Sequence, residues 1–201
     1  LFRSEGGKFS KSRGVGVFGN DVQETGIPTD MWRFYIFYNR PEKADVLFTW
    51  KDFQEKVNGE LIGNLSNLVN RTLTFIRRFY DGSLPTQEVD QTIVAAVRAA
   101  EAEIDDLLEH AELREAFRKV FALSSVANKA FQDGEPWKRR TTDAQGAARL
   151  MTTLTYLIRD IAIMIAPYMP DASLRILTWL GCPEAGWKDL GNFSGLGPIG
   201  E

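Results

Sequence analysis

Residues 49–80 read TWKDFQEKVNGELIGNLSNLVNRTLTFIRRFY, the longest stretch of the chain with a regular apolar pattern. Apolar residues recur in it at steps of three and four, which is typical of a helix with one buried stripe. At 1.5 Å per residue such a helix would be roughly 45 Å long. Asp81-Gly82 follows directly and is typical of a helix end. The stripe consists of Phe53, Val57, Leu61, Leu65, Leu68, Thr72, Ile76 and Phe79.

The chain beyond this stretch predicts four more helices, because apolar residues continue at helical spacing between short breaks. The tail from Cys182 is rich in glycine and proline, which predicts irregular structure. The pattern contains no convincing strand pair. We therefore predict an all-α fold, an antiparallel helical bundle with short connections, over residues 49–201. The four helices are expected at residues 88–110, 113–132, 142–169 and 170–181.

In residues 1–48 the pattern predicts loop, short helix and loop, a segment separate from the bundle. Thr29 or Asp30 is suited to cap the short helix. Pro41 ends it, because proline disfavours helix at the residue before it. Aromatic residues recur at helical spacing between these two points, so we interpret them as packing residues.

Length, charge and residue composition exclude several classes of protein. With 201 residues, 44% of them hydrophobic, the chain can bury the core of one domain, with or without an appendage. The net charge of −3 means that any contact with nucleic acid must come from a local basic patch. Cys182 is the only cysteine, which excludes an internal disulfide and fits the cytoplasm. No apolar run approaches the roughly 18 residues of a membrane span, so no membrane partner is expected.

Glycines, hydroxyls and cations are concentrated in residues 6–19, GGKFSKSRGVGVFG. Glycine allows a backbone to come close to a ligand. The ammonium groups of Lys8 and Lys11 and the hydroxyls of Ser10 and Ser12 can then converge on phosphate oxygens. The spacing is not that of a P-loop. A solvated basic loop is the alternative, and the pattern alone leaves both interpretations open.

One face of the long helix carries polar groups that could read a base. Asn67 and Arg71 are four residues apart, so they lie on one face, with Asn64 beside them. Asparagine offers both a donor and an acceptor, and arginine adds a planar fork of donors. Such groups can recognise the edge of an unpaired base. The alternative is an ordinary solvated helix face.

Lys8-Phe-Ser-Lys-Ser12 resembles the Lys-Met-Ser-Lys-Ser signature of class I aminoacyl-tRNA synthetases, with phenylalanine in place of methionine. Arg13–Gly19 and Thr25–Tyr35 resemble the methionyl-tRNA synthetase family in particular, and the resemblance extends along nearly the whole chain. It implies a parent enzyme that joins methionine to ATP and passes the methionyl group to tRNA(Met). It also implies that residues 8–12 act on the phosphates of ATP: Lys8 and Lys11 as catalytic residues, Ser10 and Ser12 as binding residues.

The resemblance further implies that the helical bundle reads the CAU anticodon. Asn67 and Arg71 align with the asparagine and arginine that contact the anticodon in this family. Gly63 aligns with an asparagine of some bacterial members, so that contact is absent or is replaced by Asn64.

Residues 128–137, NKAFQDGEPW, resemble the family segment that ends in Pro-Trp, here Pro136 and Trp137. The tryptophan of that segment is the platform under the first anticodon base. A core tryptophan that closes the end of the bundle is the alternative. Basic residues next to these positions are candidates for phosphate contacts: Lys138, Arg139 and Arg140, and Arg77 and Arg78 at the end of the long helix.

His110 is the only histidine, so the His-x-Gly-His motif of class I catalytic domains is not available. We therefore interpret the chain as the C-terminal part of a longer enzyme, whose own catalytic domain is an expected partner. The resemblance implies that this enzyme uses ATP with Mg²⁺ and that residues 1–48 hold the lysine-serine loop and the linker to the catalytic domain. This part alone is expected to bind no cofactor and to be inactive. The zinc site of many family members is expected outside it, because one cysteine and one histidine cannot form one.

Two other interpretations remain. A different class I enzyme with a helical anticodon domain, such as the cysteinyl or leucyl synthetase, would lack the combination of Asn67, Arg71 and Pro136-Trp137. A non-catalytic helical module that binds protein partners would expose a large apolar patch.

Overall fold

Helices make up most of the computed structural model, which describes residues 2–4, 19–42, 44–86 and 88–200. Two helices come first, α1 (Gly19–Glu24) and α2 (Thr29–Tyr38). A long helix follows, made of α3 (Trp50–Lys56), a π-helical segment (Val57–Ser66) and α4 (Asn67–Tyr80). The remaining helices are α5 (Gln91–Glu109), α6 (Leu113–Gly134), α7 (Pro136–Thr142), α8 (Ala144–Ile165) and α9 (Pro170–Trp179). The all-α bundle predicted from the sequence is confirmed.

Residues 50–80 form one continuous helix, as the apolar pattern predicts. Thr49 caps its start, since the Thr49 hydroxyl accepts a hydrogen bond from the backbone N–H of Asp52 at 3.0 Å. At its end the backbone of Asp81 and Gly82 turns left-handed, with φ of 51° and 73°. The chain leaves the helix there because glycine adopts that conformation without strain.

The middle of this helix, Val57–Ser66, turns more widely than an α-helix. Gly63 lies on a wide turn, where a Cβ atom would come within 3.0 Å of the carbonyl oxygen of Asn58. The side chains of Leu61 and Leu65 still point into the core. The apolar pattern therefore resembles that of an ordinary α-helix, which is why the sequence did not reveal the π turns.

Helix α8 is the central element of the bundle. Every residue from Met151 to Ile165 is buried, which is typical of a helix surrounded by others. It contacts α4, α5, α6, α7 and α9. Some of its polar side chains bond to the preceding turn, and others bond to segments packed against the helix. The Thr155 hydroxyl donates to the carbonyl oxygen of Met151 at 2.8 Å, and the Thr152 hydroxyl donates to the carbonyl oxygen of Thr86 at 3.2 Å.

The aromatic residues of α2 lie in this same core, which confirms their interpretation as packing residues. Trp32, Phe34 and Tyr35 are almost fully buried, and Phe34 packs against Phe117 and Phe121 of α6. The boundary predicted between residues 48 and 49 stays a prediction.

Two short strands correct the expectation of no strand pairing. β1 (Phe2–Ser4) and β2 (Val46–Phe48) pair in parallel, with Phe2 opposite Val46. Each strand has three residues, and an alternating pattern needs about four to eight residues to be recognised. The two strands also lie far apart along the chain, so no short hairpin turn joins them. Such a turn is the other sequence signal of a strand pair.

The tail from Cys182 is irregular, as predicted, apart from a 3₁₀ turn at Trp187–Asp189. Two buried neighbours on α8 hold it in place. Arg159 donates to the carbonyl oxygen of Asp189 at 2.9 Å, and Asp160 accepts from the backbone N–H of Gly191 at 3.1 Å.

Arg159 and Asp160 form a buried ion pair at 2.7 Å, and Glu101 of α5 lies beside it. Burial, with the negative charge of Asp160, raises the pKa of Glu101 from 4.5 to about 8. Asp160 accepts hydrogen bonds from Arg159 and from the Gly191 N–H, so Asp160 carries the charge and Glu101 the proton.

Candidate nucleic-acid interface

Three of the predicted site residues lie along one edge of the bundle, where the long helix meets α6. Asn64 belongs to the π-helical segment, and Asn67 and Arg71 belong to the first turns of α4. Asn67 is exposed, while Asn64 and Arg71 are half-buried. All three contact the same residue of α6, Asn128.

Asn128 joins the two helices through both its side chain and its backbone. Its amide nitrogen donates to the carbonyl oxygen of Asn64 at 2.9 Å and to the Asn64 side-chain oxygen at 3.1 Å. Its side-chain oxygen accepts from Asn67 at 3.4 Å, and its carbonyl oxygen accepts from the Arg71 guanidinium at 2.9 Å. No role for Asn128 was predicted from the sequence, although this residue begins the segment that ends in Trp137.

The Arg71 guanidinium lies on an aromatic ring. The central carbon of the guanidinium is 3.9 Å from the centroid of the Phe131 ring. This distance is well within the range of a cation–π contact. Burial lowers the pKa of Arg71, and its Nε atom is buried without a hydrogen-bond partner among the described residues. One hydrogen bond to Asn128 uses only part of the guanidinium fork, and its other Nη donors have no hydrogen-bond partner among the described residues.

Trp137 continues this stack at the start of α7. Its ring centroid is 6.1 Å from that of Phe131, with 32° between the planes, and the residue is 38% exposed. Pro136 is buried and occupies the first position of α7, where proline suits a helix start. Glu135, with a left-handed φ of 38°, turns the chain between α6 and α7. Pro136 thus sets the position of Trp137, whose own ring reaches the surface.

Asn64 differs from the other two polar residues because its amide is fully engaged. The amide nitrogen donates to the Phe121 carbonyl oxygen at 3.0 Å and to the Ser125 hydroxyl at 2.8 Å. Its oxygen accepts from Asn128. In this structure Asn64 links the long helix to α6 and offers no free group to a base.

The candidate phosphate residues fall into two groups. Lys138 is paired with Glu135 at 2.7 Å, and Arg139 is paired with Asp143. That arginine and the backbone N–H of Gly146 hold the pKa of Asp143 below its usual value. Arg140 has no carboxylate partner in the part of the chain that the structure describes, and its guanidinium lies 4.5 Å from the centroid of the Phe79 ring.

Lys8, Ser10, Lys11 and Ser12 lie outside the described residues. Within the described ranges, His, Cys, Asp and Glu residues form no group of three or more that could hold a metal ion. Nor does any helix there have the length and apolar character needed to span a membrane.

Two family models match the chain. Residues 2–73 match the class I tRNA synthetase model of the methionyl type, and residues 81–194 match the anticodon-binding domain of methionyl tRNA ligase. Neither match is to the cysteinyl or leucyl enzymes that the sequence left as alternatives.

Curated relatives carry the name methionine–tRNA ligase. The protein of Treponema denticola is 63% identical over 223 residues, which covers 96% of this chain and 28% of the relative. That of Treponema pallidum is 52% identical, covering 90% of this chain and 24% of the relative, and that of Borrelia duttonii is 46% identical. The chain therefore spans about a quarter of the length of these relatives.

Solved structures show the same fold. Methionyl-tRNA synthetase of Mycobacterium tuberculosis, in complex with methionyl-adenylate, superposes with a TM-score of 0.80 at 23% identity. The match covers 98% of this chain and 41% of that one. The apo form of the same enzyme superposes with a TM-score of 0.79.

Proposed function

The chain belongs to the methionyl-tRNA synthetase family, and from this we propose that its helical bundle reads the CAU anticodon of tRNA(Met). We define the reading edge as Asn67, Arg71, Asn128, Phe131 and Trp137. The single observation that carries the proposal is the unbroken series of contacts among these five residues. They come from three helices, yet they present amide, guanidinium and indole groups along one surface.

The indole, guanidinium and amide groups of the reading edge each suit one part of an unpaired base. The indole of Trp137 can stack on a base face, and such stacking contributes about 1–3 kcal/mol per base. The free guanidinium donors of Arg71 suit base oxygens and ring nitrogens, and the Phe131 ring holds them in a fixed plane. The exposed amide of Asn67 can offer both a donor and an acceptor.

The activity of the whole enzyme is part of the same proposal. The parent protein would join methionine to ATP, with Mg²⁺, and then transfer the methionyl group to tRNA(Met). The Mycobacterium tuberculosis relative in complex with methionyl-adenylate supports ATP as the substrate. Lys8, Ser10, Lys11 and Ser12 have the ammonium and hydroxyl groups that suit phosphate binding. The 201 residues alone would not catalyse, and the parent protein would act in the cytoplasm.

Titration of the chain with an anticodon stem-loop RNA tests the proposal. We would follow tryptophan fluorescence with a CAU loop and with a loop that differs only in the first anticodon base. We expect tighter binding of the CAU loop. Trp137→Ala should weaken that binding about 5- to 150-fold, the range that corresponds to one stacked base.

Trp187→Ala is the matched control for this titration. Trp187 is 43% exposed, similar to Trp137, but it lies in the tail and outside the reading edge. We expect it to leave the affinity unchanged. Equal binding of both loops, or equal effects of the two substitutions, would contradict the proposal.

A further inference from the structure

Two arginines from different helices share the ring of Phe79. The guanidinium carbon of Arg78, in the last turn of α4, lies 5.2 Å from the ring centroid. That of Arg140, in the last turn of α7, lies 4.5 Å from the same centroid. We call Arg78, Phe79 and Arg140 the Phe79 cluster. Both arginines are exposed.

Neither arginine of the Phe79 cluster is neutralised. No carboxylate within the described residues forms an ion pair with Arg78 or Arg140, whereas Lys138 and Arg139 each have one. Two like charges on one ring repel each other, and an anion between them would remove that repulsion. Their planar forks also suit phosphate oxygens, which they can bind through paired hydrogen bonds.

A row of rings connects the Phe79 cluster to the reading edge. Phe79 lies 4.6 Å from Phe75, and Phe75 lies 6.0 Å from Phe131, which neighbours Trp137. Arg140 follows Trp137 by three residues on α7, so both side chains lie on the same face of that helix. A nucleic acid whose base stacks on Trp137 would therefore pass its backbone close to Arg78 and Arg140.

We propose that Arg78 and Arg140 together bind a backbone phosphate of the anticodon loop. This inference rests on the proposed function, because it takes the reading edge as the place where the loop docks. The contact would raise affinity for any loop without distinguishing its bases. It assigns the phosphate contact to Arg140 rather than to its neighbours Lys138 and Arg139, which are held by Glu135 and Asp143.

The salt dependence of RNA binding tests this inference. The dissociation constant of the chain for the CAU stem-loop would be measured at several salt concentrations. A contact to one phosphate of a single strand changes the slope of log K against log salt by about 0.7. We expect Arg140→Gln and Arg78→Gln each to weaken binding of the CAU and the altered loop by the same factor, roughly fivefold, and to flatten the slope.

Arg77→Gln is the matched control. Arg77 is the sequence neighbour of Arg78, is exposed, and has no ion pair among the described residues. It lines a different cleft, of about 510 Å³, between α4 and α9. Because its removal changes the net charge equally, it separates a local contact from general attraction. A loss of slope in Arg77→Gln as large as in Arg140→Gln would overturn the inference.

Replacement of single loop phosphates by uncharged methylphosphonates locates the contact. We expect one position at which the replacement weakens binding to the wild-type chain but not to the Arg78→Gln/Arg140→Gln double variant. If every position affects both proteins equally, no phosphate is bound by the Phe79 cluster.

These readouts keep the two proposals apart. If the chain prefers the CAU loop but the arginine variants keep the wild-type slope of log K against log salt, only the proposal for the Phe79 cluster is overturned. A changed slope without CAU preference overturns the reading function and leaves the phosphate contact standing. A chain that binds neither RNA overturns both. Thermal unfolding of each variant excludes loss of fold as the cause.

Discussion

The guanidinium of Arg71 lies 3.9 Å above the ring of Phe131, so a half-buried cation of α4 rests on a buried ring of α6. The ring fixes the plane of the guanidinium, and the hydrogen bond to the Asn128 carbonyl oxygen fixes its rotation within that plane. Arg71 is therefore oriented before any ligand arrives. Preorganisation of this kind lowers the entropy cost of binding.

Phe131→Leu tests that orientation. Leucine keeps the site apolar but removes the ring under Arg71, so we expect the affinity for the CAU stem-loop to fall about tenfold. The free energy of unfolding should fall by only about 1–2 kcal/mol, because the volume change is modest. Phe117→Leu, at another buried position of α6, is the control. It should lose stability but keep its RNA affinity; a parallel loss of affinity would mean that the ring under Arg71 has no special role.

Asn128→Ala tests the connection between the long helix and α6. It removes the donor to two oxygens of Asn64 and the acceptor for Asn67, so the half-buried side-chain oxygen of Asn64 loses this partner. We expect the free energy of unfolding in urea to fall by about 1–3 kcal/mol. Ser125→Ala removes only one hydrogen bond of Asn64, which keeps its bond to the Phe121 carbonyl oxygen. Equal losses in the two variants would show that Asn128 is not the main link.

Gly59→Ala and Gly63→Ala, four residues apart on exposed positions of the π-helical segment, should act in opposite directions. A Cβ at Gly59 meets nothing within 4 Å, so alanine should stabilise the fold by about 0.5–1 kcal/mol through its higher helix propensity. A Cβ at Gly63 meets the carbonyl oxygen of Asn58 at 3.0 Å, so alanine should destabilise it by a similar amount. Thermal unfolding of both variants would measure the difference. A stabilising Gly63→Ala would mean that this turn is not wide in solution.

Glu101 predicts a pH dependence of stability. Its pKa is about 8 in the folded chain, against 4.5 as its ordinary value, so the folded state holds a proton that the unfolded state releases. This contribution is fully present below about pH 4.5 and is lost as the pH rises to 8. After allowance for solvent screening, we expect a decrease of about 1–2 kcal/mol in the free energy of unfolding.

Glu101→Gln should remove this dependence, because glutamine resembles the protonated acid and does not titrate. Urea unfolding at several pH values between 5 and 9 would compare the two proteins. The interpretation is wrong if both lose stability equally over that range.

The sequence predicted the helices well because their signal is local. Each buried stripe repeats within its own helix, and residues such as Thr49 and Gly82 mark the ends. The strand pair was missed because its two members are short and lie far apart along the chain. Helix α7 was missed as a separate element, since seven residues between Glu135 and Asp143 are too few to show a period.

The residues of the candidate site were likewise predictable only in part. Asn67, Arg71 and Trp137 could be named from residue type and from the resemblance to a family. The roles of Asn128 and Phe131 depend on how α6 packs against α4, which no local pattern contains. The pairing of Lys138 with Glu135 was visible in principle, because Lys138 lies in the first turn of α7, three residues after Glu135, which directly precedes that helix.

Phe75 and Phe131 belong to two structures at once, the hydrophobic core and the row of rings beneath the reading edge. Substitutions that repack these rings to suit a warmer or colder habitat would also shift the Arg71 guanidinium, which rests on Phe131. Under the proposed function, RNA affinity and heat tolerance would then be inherited together at these two positions, and selection could not change one without changing the other.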